Sequence, residues 1–546
     1  MSNNKRLIYL LSPIIIASFL VVGIYLGVIL SSASANDKTV VFPNSKRFNT
    51  ATKLNEILNF IGDTYVDSVN KRDLTEKSIS SMLSKLDPHS YYIPAREFDN
   101  MNEPLEGNFD GIGIEFRLRN DTVMVIAPVA KGPSEKLGIK AGDRIVKVDT
   151  IPIAGVNITN EEVIRLLKGP RGTKVNVIIK RMGVKKPLLF TITRDRIPIY
   201  SVDSPYMITP NTGYLKITRF AKTTYAEFLQ ATEKLQDEGM KNLIIDLRGN
   251  GGGLLSAATR IADEILPKNK MIVYTDGRVR NKDEYFSSDN GSLEHTNIAI
   301  LINENSASAS EILAGAIQDN DKGTIIGRRS FGKGLVQEQV VWPDGSALRL
   351  TVARYYTPTG RCIQKPYGEN KEDYRAEAYN RYTNGELLSS DSIHFPDSLK
   401  FYTPEGKVVY GGGGIMPDIF VPLDTNGGSN YLYELRYRGI IQDFALTYVD
   451  KKRKRFKKQY QNAVNFKNQF TISNDLFNSL IKYADENEVK RNLDEIQISK
   501  TLILREVKAA ICRNLFNDFG YYVIMNEYDN TVQEAIKALR SNEERH

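Results

Sequence analysis

The chain has 546 residues, with 73 Lys and Arg against 65 Asp and Glu, a formal net charge of +8, four His and two Cys. That length suits three to four domains, and 41% apolar residues exclude wholesale disorder. Two cysteines exclude a disulfide-dense scaffold and a Cys-rich zinc module, four histidines without a His-x-x-x-His spacing argue against a histidine metal cluster, and the mild charge is no argument for nucleic acid.

In chain order, the first feature is an apolar run. Lys5 and Arg6 precede Leu7 to Leu30, 24 residues without a charge, long enough to cross a bilayer as one helix and leave the remainder outside the cytoplasm. Ala33-Ser34-Ala35 is an A-x-A cleavage signal, so residues 1–35 read as a signal anchor or a signal peptide, and the length of the run favours the anchor. Both export the rest to the periplasmic or extracytoplasmic side of the cell envelope. Residues 36–104 form a linker and a helical segment, in which Leu54, Ile57, Leu58 and Ile61 fall at helical spacing. Leu86-Asp87-Pro88-His89-Ser90 ends that pattern.

Residues 105–196 are strand-rich with one short helix. Phe109-Asp110-Gly111-Ile112-Gly113-Ile114-Glu115-Phe116 puts two glycines before an alternating strand, which suits a loop whose N–H groups converge on a carboxylate. Thr159 to Glu162 fits a capping box that starts a helix through Leu167. Glycine loop, the turn from Gly138 to Ile145 and a capped helix, in this order, resemble a PDZ domain. The resemblance implies that Gly111, Ile112, Gly113 and Ile114 bind the end of an extended peptide. Lys168, directly after the helix, suits either steering of an acidic chain end or a plain surface position.

Residues 197–424 alternate strands and helices, with a polar, Tyr-rich insertion at 367–410. Three strand ends carry chemistry. After the strand Leu243 to Leu247 come Arg248-Gly249-Asn250-Gly251-Gly252-Gly253 and a helix, Leu254 to Leu266. Glycines there free backbone amides to face an anion, although the G-x-G-x-x-G spacing is absent. After Ile298 to Ile302 come Ser306-Ala307-Ser308-Ala309-Ser310-Glu311 and the helix Ile312 to Gln318. A serine at that helix start is an N-cap, or a hydroxyl whose neighbouring amide helps to hold an oxyanion. After Thr324 to Gly327 comes Arg328-Arg329-Ser330-Phe331-Gly332-Lys333-Gly334. This follows the phosphate-loop pattern until Gly334 replaces the Ser or Thr that holds Mg²⁺, and Leu335 to Trp342 reads as a strand rather than a helix, so a nucleotide loop is excluded. A lysine between glycines suits a base packed against other backbone. To take a proton from serine it must be neutral, which requires roughly 3–5 kcal/mol of desolvation. Gln337 is placed to orient the amine without adding charge.

Together these stretches resemble the C-terminal processing peptidases, or tail-specific proteases: PDZ-containing serine proteases with a Ser/Lys dyad. The matching residues are Gly213-Tyr214-Leu215, Asp246-Leu247-Arg248 with Gly252-Gly253, Ser306 to Glu311, Phe331 to Gly334 with Val336-Gln337, and Ile415-Met416-Pro417-Asp418. The resemblance implies Ser308 as nucleophile, the middle one of three serines and 25 residues before Lys333 (333 − 308). It implies Lys333 as general base, Gln337 as its orienting partner, and an oxyanion hole from the Ala309 amide with that of Gly252 or Gly253. The sequence departs from the commoner family pattern at Gly249 and Gly251. None of His89, His295, His394 and His546 lies in a motif resembling a histidine base.

The fold expected is multidomain α/β: an N-terminal membrane helix, a helical segment, a β-rich PDZ domain, a ClpP/crotonase-like α/β protease core, and a mainly helical C-terminal extension over 425–546. The function expected is an exported serine endopeptidase that engages protein or peptide substrates by their free C-termini and needs no metal or cofactor. A membrane contact through the N-terminal helix is expected and a nucleic-acid partner is not; a homo-oligomer or an activating adaptor stays open. A trypsin-like PDZ protease would need a His-Asp-Ser triad, and the loop Gly249 to Gly253 contains no serine. The alternative is a PDZ-based scaffold or chaperone with an inactive protease domain, against which the retention of both Ser308 and Lys333 speaks.

Overall fold

The computed structural model describes residues 21–24, 50–368 and 371–543. The expected membrane helix lies outside the described residues except for 21–24, which are helical. Among the described residues, no helix is long and apolar enough to cross a membrane. The chain divides into two compact units, one ending at Ser78 and one beginning at Ile79. The first contains α1 (Thr50–Thr64), where Leu54 and Ile57 of the helical stripe remain exposed. The next helix is α2 (Lys71–Leu83).

The second unit opens with β1 (Tyr91–Ile93) and α3 (Ala95–Glu106). Then come β2 (Asn108–Gly111), β3 (Ile114–Arg119), β4 (Thr122–Pro128), β5 (Arg144–Val148), α4 (Asn160–Leu167), β6 (Lys174–Lys180), β7 (Leu188–Thr193) and β8 (Asp195–Pro198). An antiparallel sheet in the order β3-β4-β5-β6-β7 leaves β3 at its edge, while β2 pairs with β8. Ile112, Val123, Val163 and Leu167 are buried in one core, so the edge strand's base and α4 pack on the same centre. The capping box at Thr159 forms as the sequence pattern predicts: Thr159 Oγ1 accepts from Glu162 N–H, and Glu162 returns to the Thr159 amide.

The α/β core follows, with β9 (Val202–Met207), β10 (Thr212–Ile217), α5 (Thr224–Asp237), β11 (Asn242–Asp246), α6 (Leu255–Ile265), β12 (Met271–Asp276), β13 (Asp283–Phe286), β14 (Asn297–Ile302), α7 (Ala309–Asp319) and β15 (Gly323–Gly327). It continues through β16 (Leu335–Val341), β17 (Ala347–Tyr356), α8 (Lys371–Thr383) and β18 (Ile419–Phe420). The main sheet runs β9-β10-β11-β14-β15-β18, parallel throughout except for β9 against β10. Its central strands β11 and β14 read as near-continuous apolar runs because both faces are covered. Leu243 and Ile245 point into the core shared with α5, α6 and α7; Ile244, between them, points to the other face.

That other face is covered from the far end of the chain. The helices α9 (Asn430–Tyr437), α10 (Ile440–Tyr460), α11 (Ala463–Gln469), α12 (Asn474–Glu486) and α13 (Leu493–Met525) build a core of their own, and α14 (Asn530–Glu543) leaves it. Val532, Ala535, Ile536 and Leu539 of α14, at helical spacing, pack against Tyr214, Ile244, Ala299, Leu301 and Ile326 of the sheet. A second, antiparallel sheet, β1-β17-β12-β13 with β16 on β17, flanks the core and carries the strand after the lysine.

Candidate active site

Three strand ends converge. β14 delivers the serine run, β11 the glycine loop, and the turn between β15 and β16 the lysine. The three serines are sorted by their surroundings. Ser306 and Ser310 are fully buried and spend their hydroxyls on the Leu247 and Asn250 carbonyls, each at 2.9 Å, which stitches the serine run to the glycine loop. Ser308 is half-buried and lines a cavity of about 1220 Å³. Its backbone is at φ +57°, ψ −114°, a conformation that L-residues rarely adopt and that costs on the order of 1–3 kcal/mol. It stands at the N-cap of α7, a helix buried along its whole length.

The glycine loop touches that turn. A Cβ on Gly252 would lie 2.7 Å from Ser308 Cβ, and one on Gly253 would lie 2.1 Å from the Phe220 carbonyl oxygen. Gly252 N–H donates to Asn250 Oδ1 at 2.8 Å. Gly253 pairs with Phe220 through its neighbours' groups, Phe220 N–H to Gly252 O and Leu254 N–H to Phe220 O. Among the described residues, no acceptor meets the N–H of Gly253 or of Ala309, and both residues line the cavity. Gly251, a departure from the family pattern, has open space where a side chain would sit.

Lys333 lies between two close backbone approaches. A Cβ on Gly332 would be 3.1 Å from Gly414 N, and one on Gly334 would be 2.9 Å from Gln364 N. The Lys333 ammonium group donates to Gln337 Oε1 at 2.9 Å, and Gln337 Nε2 donates to the His89 carbonyl. Burial, and then the nearby Arg349, push the Lys333 amine below its ordinary range, while Glu311 and Asp87 act in the opposite sense. Lys333 Nζ and Ser308 Oγ line the same cavity and are not hydrogen-bonded to each other.

Glu311 joins the two halves. Its Oε2 accepts from the N–H of Ser308 at 2.8 Å and from the N–H of Lys333 at 2.9 Å. Its Oε1 accepts from Gly332 N–H at 2.7 Å and from Ser330 Oγ at 2.5 Å. Burial raises the Glu311 carboxyl, and these four hydrogen bonds oppose the rise. Beneath it, the buried Tyr355 hydroxyl meets the carbonyls of Ser308, at 3.1 Å, and Lys333. Neither residue was singled out in the sequence. Glu311 had a signal, the acid position of a capping box three residues after Ser308; Tyr355, at the end of β17, had none. His89, which the sequence sets apart from any catalytic motif, supplies the carbonyl that holds Gln337. Asp87 shapes its turn by accepting from the N–H groups of His89 and Ser90.

The glycines expected to bind peptide sit where β2 passes into β3. Gly111 ends β2, Ile112 is buried and accepts from Ser134 Oγ at 2.6 Å, Gly113 turns with φ +72°, and Ile114 opens the edge strand. Lys168 is not a free cation at their side. Its ammonium pairs with Glu103 of α3 and lies 5.1 Å above the Phe109 ring, and it lines the same cavity as Ser308.

Residues 211–373 match the model of peptidase family S41, residues 124–181 that of the PDZ domain, and residues 431–517 a family of unknown function. The carboxy-terminal-processing protease of Bartonella bacilliformis is 37% identical over 355 residues, 63% of this chain and 79% of the relative. The carboxy-terminal processing protease CtpB of Bacillus subtilis is 32% identical over 354 residues, 63% of this chain and 72% of the relative. Among solved structures, a photosystem II D1 C-terminal processing protease is 26% identical, with 68% of this chain and 87% of that chain covered and a TM-score of 0.35. With a PDZ domain set before an S41 core and a mainly helical C-terminal region after it, the chain belongs to the carboxy-terminal processing proteases, serine-type peptidases of family S41.

Proposed function

We propose that the protein is an exported endopeptidase that engages substrates by their C-terminal ends and cuts them with a Ser308/Lys333 dyad. The observation that carries this reading is the Glu311 carboxylate, which binds the backbone of both residues at the wall of one cavity. Lys333 is neutral when it acts. One of its N–H bonds goes to Gln337 Oε1, which directs the nitrogen lone pair. The lone pair takes the Ser308 hydroxyl proton as Oγ attacks the substrate carbonyl. The free N–H groups of Gly253 and Ala309 receive the oxyanion, while Gly252, its own N–H committed to Asn250, contributes by lacking a Cβ. As the C–N bond breaks, the Lys333 ammonium returns the proton to the leaving amine. An acyl-enzyme on Ser308 remains, which water hydrolyses with Lys333 again as base. The free backbone edge of β3 and the turn at Ile112 and Gly113 suit an added peptide strand that ends in a carboxylate.

The test is cleavage of an unfolded protein with an apolar C-terminus by the chain lacking residues 1–36. Ser308→Ala and Lys333→Ala are each expected to lower kcat by about 10³-fold or more. Full activity in Lys333→Ala would exclude the dyad, and a wild-type chain that never cleaves, even with activating partners present, would favour a peptide-binding scaffold.

A further inference from the structure

The segment 367–410 interrupts the protease core, and the family resemblance assigns it no task. Its helix α8 turns one face toward the base. Tyr374, Glu377 and Arg381 follow one another at spacings of three and four residues, which places them on one side of the helix. Each is tied to the turn that carries Lys333 or to the partner of its amine.

Arg381 is 3% exposed. Its Nη1 donates to the Ser330 carbonyl at 2.7 Å and its Nη2 to the Phe331 carbonyl at 3.2 Å. From the opposite side, Glu311 accepts the N–H groups of Gly332 and Lys333. The peptide group joining Phe331 to Gly332 is thus held at its carbonyl by Arg381 and at its N–H by Glu311. The next one, from Gly332 to Lys333, is held at its N–H by Glu311 and at its carbonyl by the Lys365 N–H, at 2.9 Å. Glu377 ties these clamps together: it accepts from Arg381 Nε at 2.5 Å and from Lys365 Nζ at 2.7 Å. Arg329 and Glu386 complete the cluster with two parallel bonds of 2.7 Å. A guanidinium that grips two successive carbonyls in a buried setting fixes orientation as a single-point ammonium does not.

Tyr374 makes the second connection. Its hydroxyl is 2.7 Å from His89 Nε2, and its ring meets the His89 ring edge-on at 5.4 Å and Phe331 at 6.1 Å. The carbonyl of that same His89 receives Gln337 Nε2. α8 therefore reaches Lys333 through Arg381 and Gln337 through Tyr374 and His89.

We propose that α8 is a positioning element for the catalytic base: Arg381 fixes the peptide groups that carry Lys333, Tyr374 fixes the residue that holds Gln337, and the amine and its acceptor meet Ser308 in one geometry. This rests on the reading of Lys333 as the base. It gives the insertion a task in the chemistry and makes Tyr374 and Arg381 positioning residues rather than catalytic ones.

The experiment uses the full-length protein in detergent, a peptide substrate, and steady-state kinetics at fixed pH. Arg381→Ala is expected to lower kcat about 10²-fold, the effect of a misplacement near 1 Å, with KM within twofold of wild type. Added guanidinium should restore activity saturably, and Arg381→Lys should fall between wild type and Arg381→Ala. A kcat within twofold of wild type, or a loss that guanidinium and lysine both leave untouched in a folded variant, overturns the proposal. If Arg381→Ala does not fold, Tyr374→Phe decides, since it removes one hydroxyl and keeps the ring. A kcat about threefold or more below wild type at unchanged KM and unchanged Tm is expected, and an unchanged kcat overturns the proposal. Lys333→Ala, run alongside, separates the two levels: an active Lys333→Ala removes the dyad itself, whereas an inactive one beside fully active Arg381 and Tyr374 variants removes only the role of α8.

Discussion

At the scale of single residues, the lysine explains why so much is packed around so small a site. An ammonium in bulk water keeps its proton at neutral pH and is useless as a base. Burial and Arg349 both disfavour the charged form of Lys333, so the amine appears at a pH below the ordinary lysine range. On the proposed dyad, single-turnover acylation of Ser308 is therefore expected to rise with pH along a limb displaced downward from that range. Arg349→Gln removes the second of the two causes, so the folded Lys333 binds its proton more tightly and the limb moves to higher pH. A limb that stays in place in Arg349→Gln would mean that another group sets it. Arg349 itself is braced by the Tyr91 hydroxyl at 2.5 Å and by Gln339 at 2.7 Å, so its charge is fixed rather than swinging in solvent.

At the scale of elements, burial on both faces is what made the core strands legible. Gly213 to Ile217, Leu243 to Leu247 and Ile298 to Ile302 stand out as apolar runs between polar turns, and β10, β11 and β14 begin within a residue of them. The capped helix after Thr159 was equally plain, because a capping box is local. α14 is different. Its stripe of Val532, Ala535, Ile536 and Leu539 announces an amphipathic helix, but nothing nearby in the chain says that it completes the far face of a sheet built some 300 residues earlier (532 − 214 = 318). Leu539→Ala, at a site 1% exposed, is expected to cost about 2–5 kcal/mol, measured by urea unfolding. A loss under about 0.5 kcal/mol, the range of surface substitutions, would mean that the helix does not hold the sheet. The site was legible in the same uneven way. Ser308, Lys333, Gln337 and the glycine loop announce themselves by motif, whereas Tyr355, His89 and Arg381 act through contacts that only the tertiary fold brings about.

At the scale of the whole molecule, the C-terminal helices are tied to both other parts. Arg117 pairs with Asp443 at 3.0 Å and Arg119 donates to Thr447 at 2.7 Å, so the outward face of β3 in the PDZ domain rests on α10. At the other end, Asp529, just before α14, receives Arg248 Nη1 on both carboxylate oxygens at 2.8 and 2.9 Å, immediately before the glycine loop. Arg248 in turn grips Asp246, fully buried at the end of β11. Burial alone would raise the Asp246 carboxyl, but Arg248 and Lys216 outweigh it and hold the group far below the usual carboxylate range. Because the folded state lowers this pKa, the pair contributes stability that is fully present above the ordinary aspartate range and is lost as pH falls through the folded value. Asp246→Asn leaves Arg248 short of its buried partner and is expected to destabilise the protein by about 3–5 kcal/mol at neutral pH. The deficit relative to wild type should shrink in strongly acid solution, as followed by urea titrations at both pH values. An equal deficit at both would mean that packing, not charge, is what the substitution removes.

The shared carboxylate under the active site has a consequence for how such an enzyme fails. Since a single oxygen of Glu311 receives the amides of both Ser308 and Lys333, neither turn can swing away without giving up an acceptor that the other also uses. The turns that carry Ser308 and Lys333 are thereby coupled through one acceptor. Loss of that oxygen from its place is therefore expected to disturb both turns together rather than one alone.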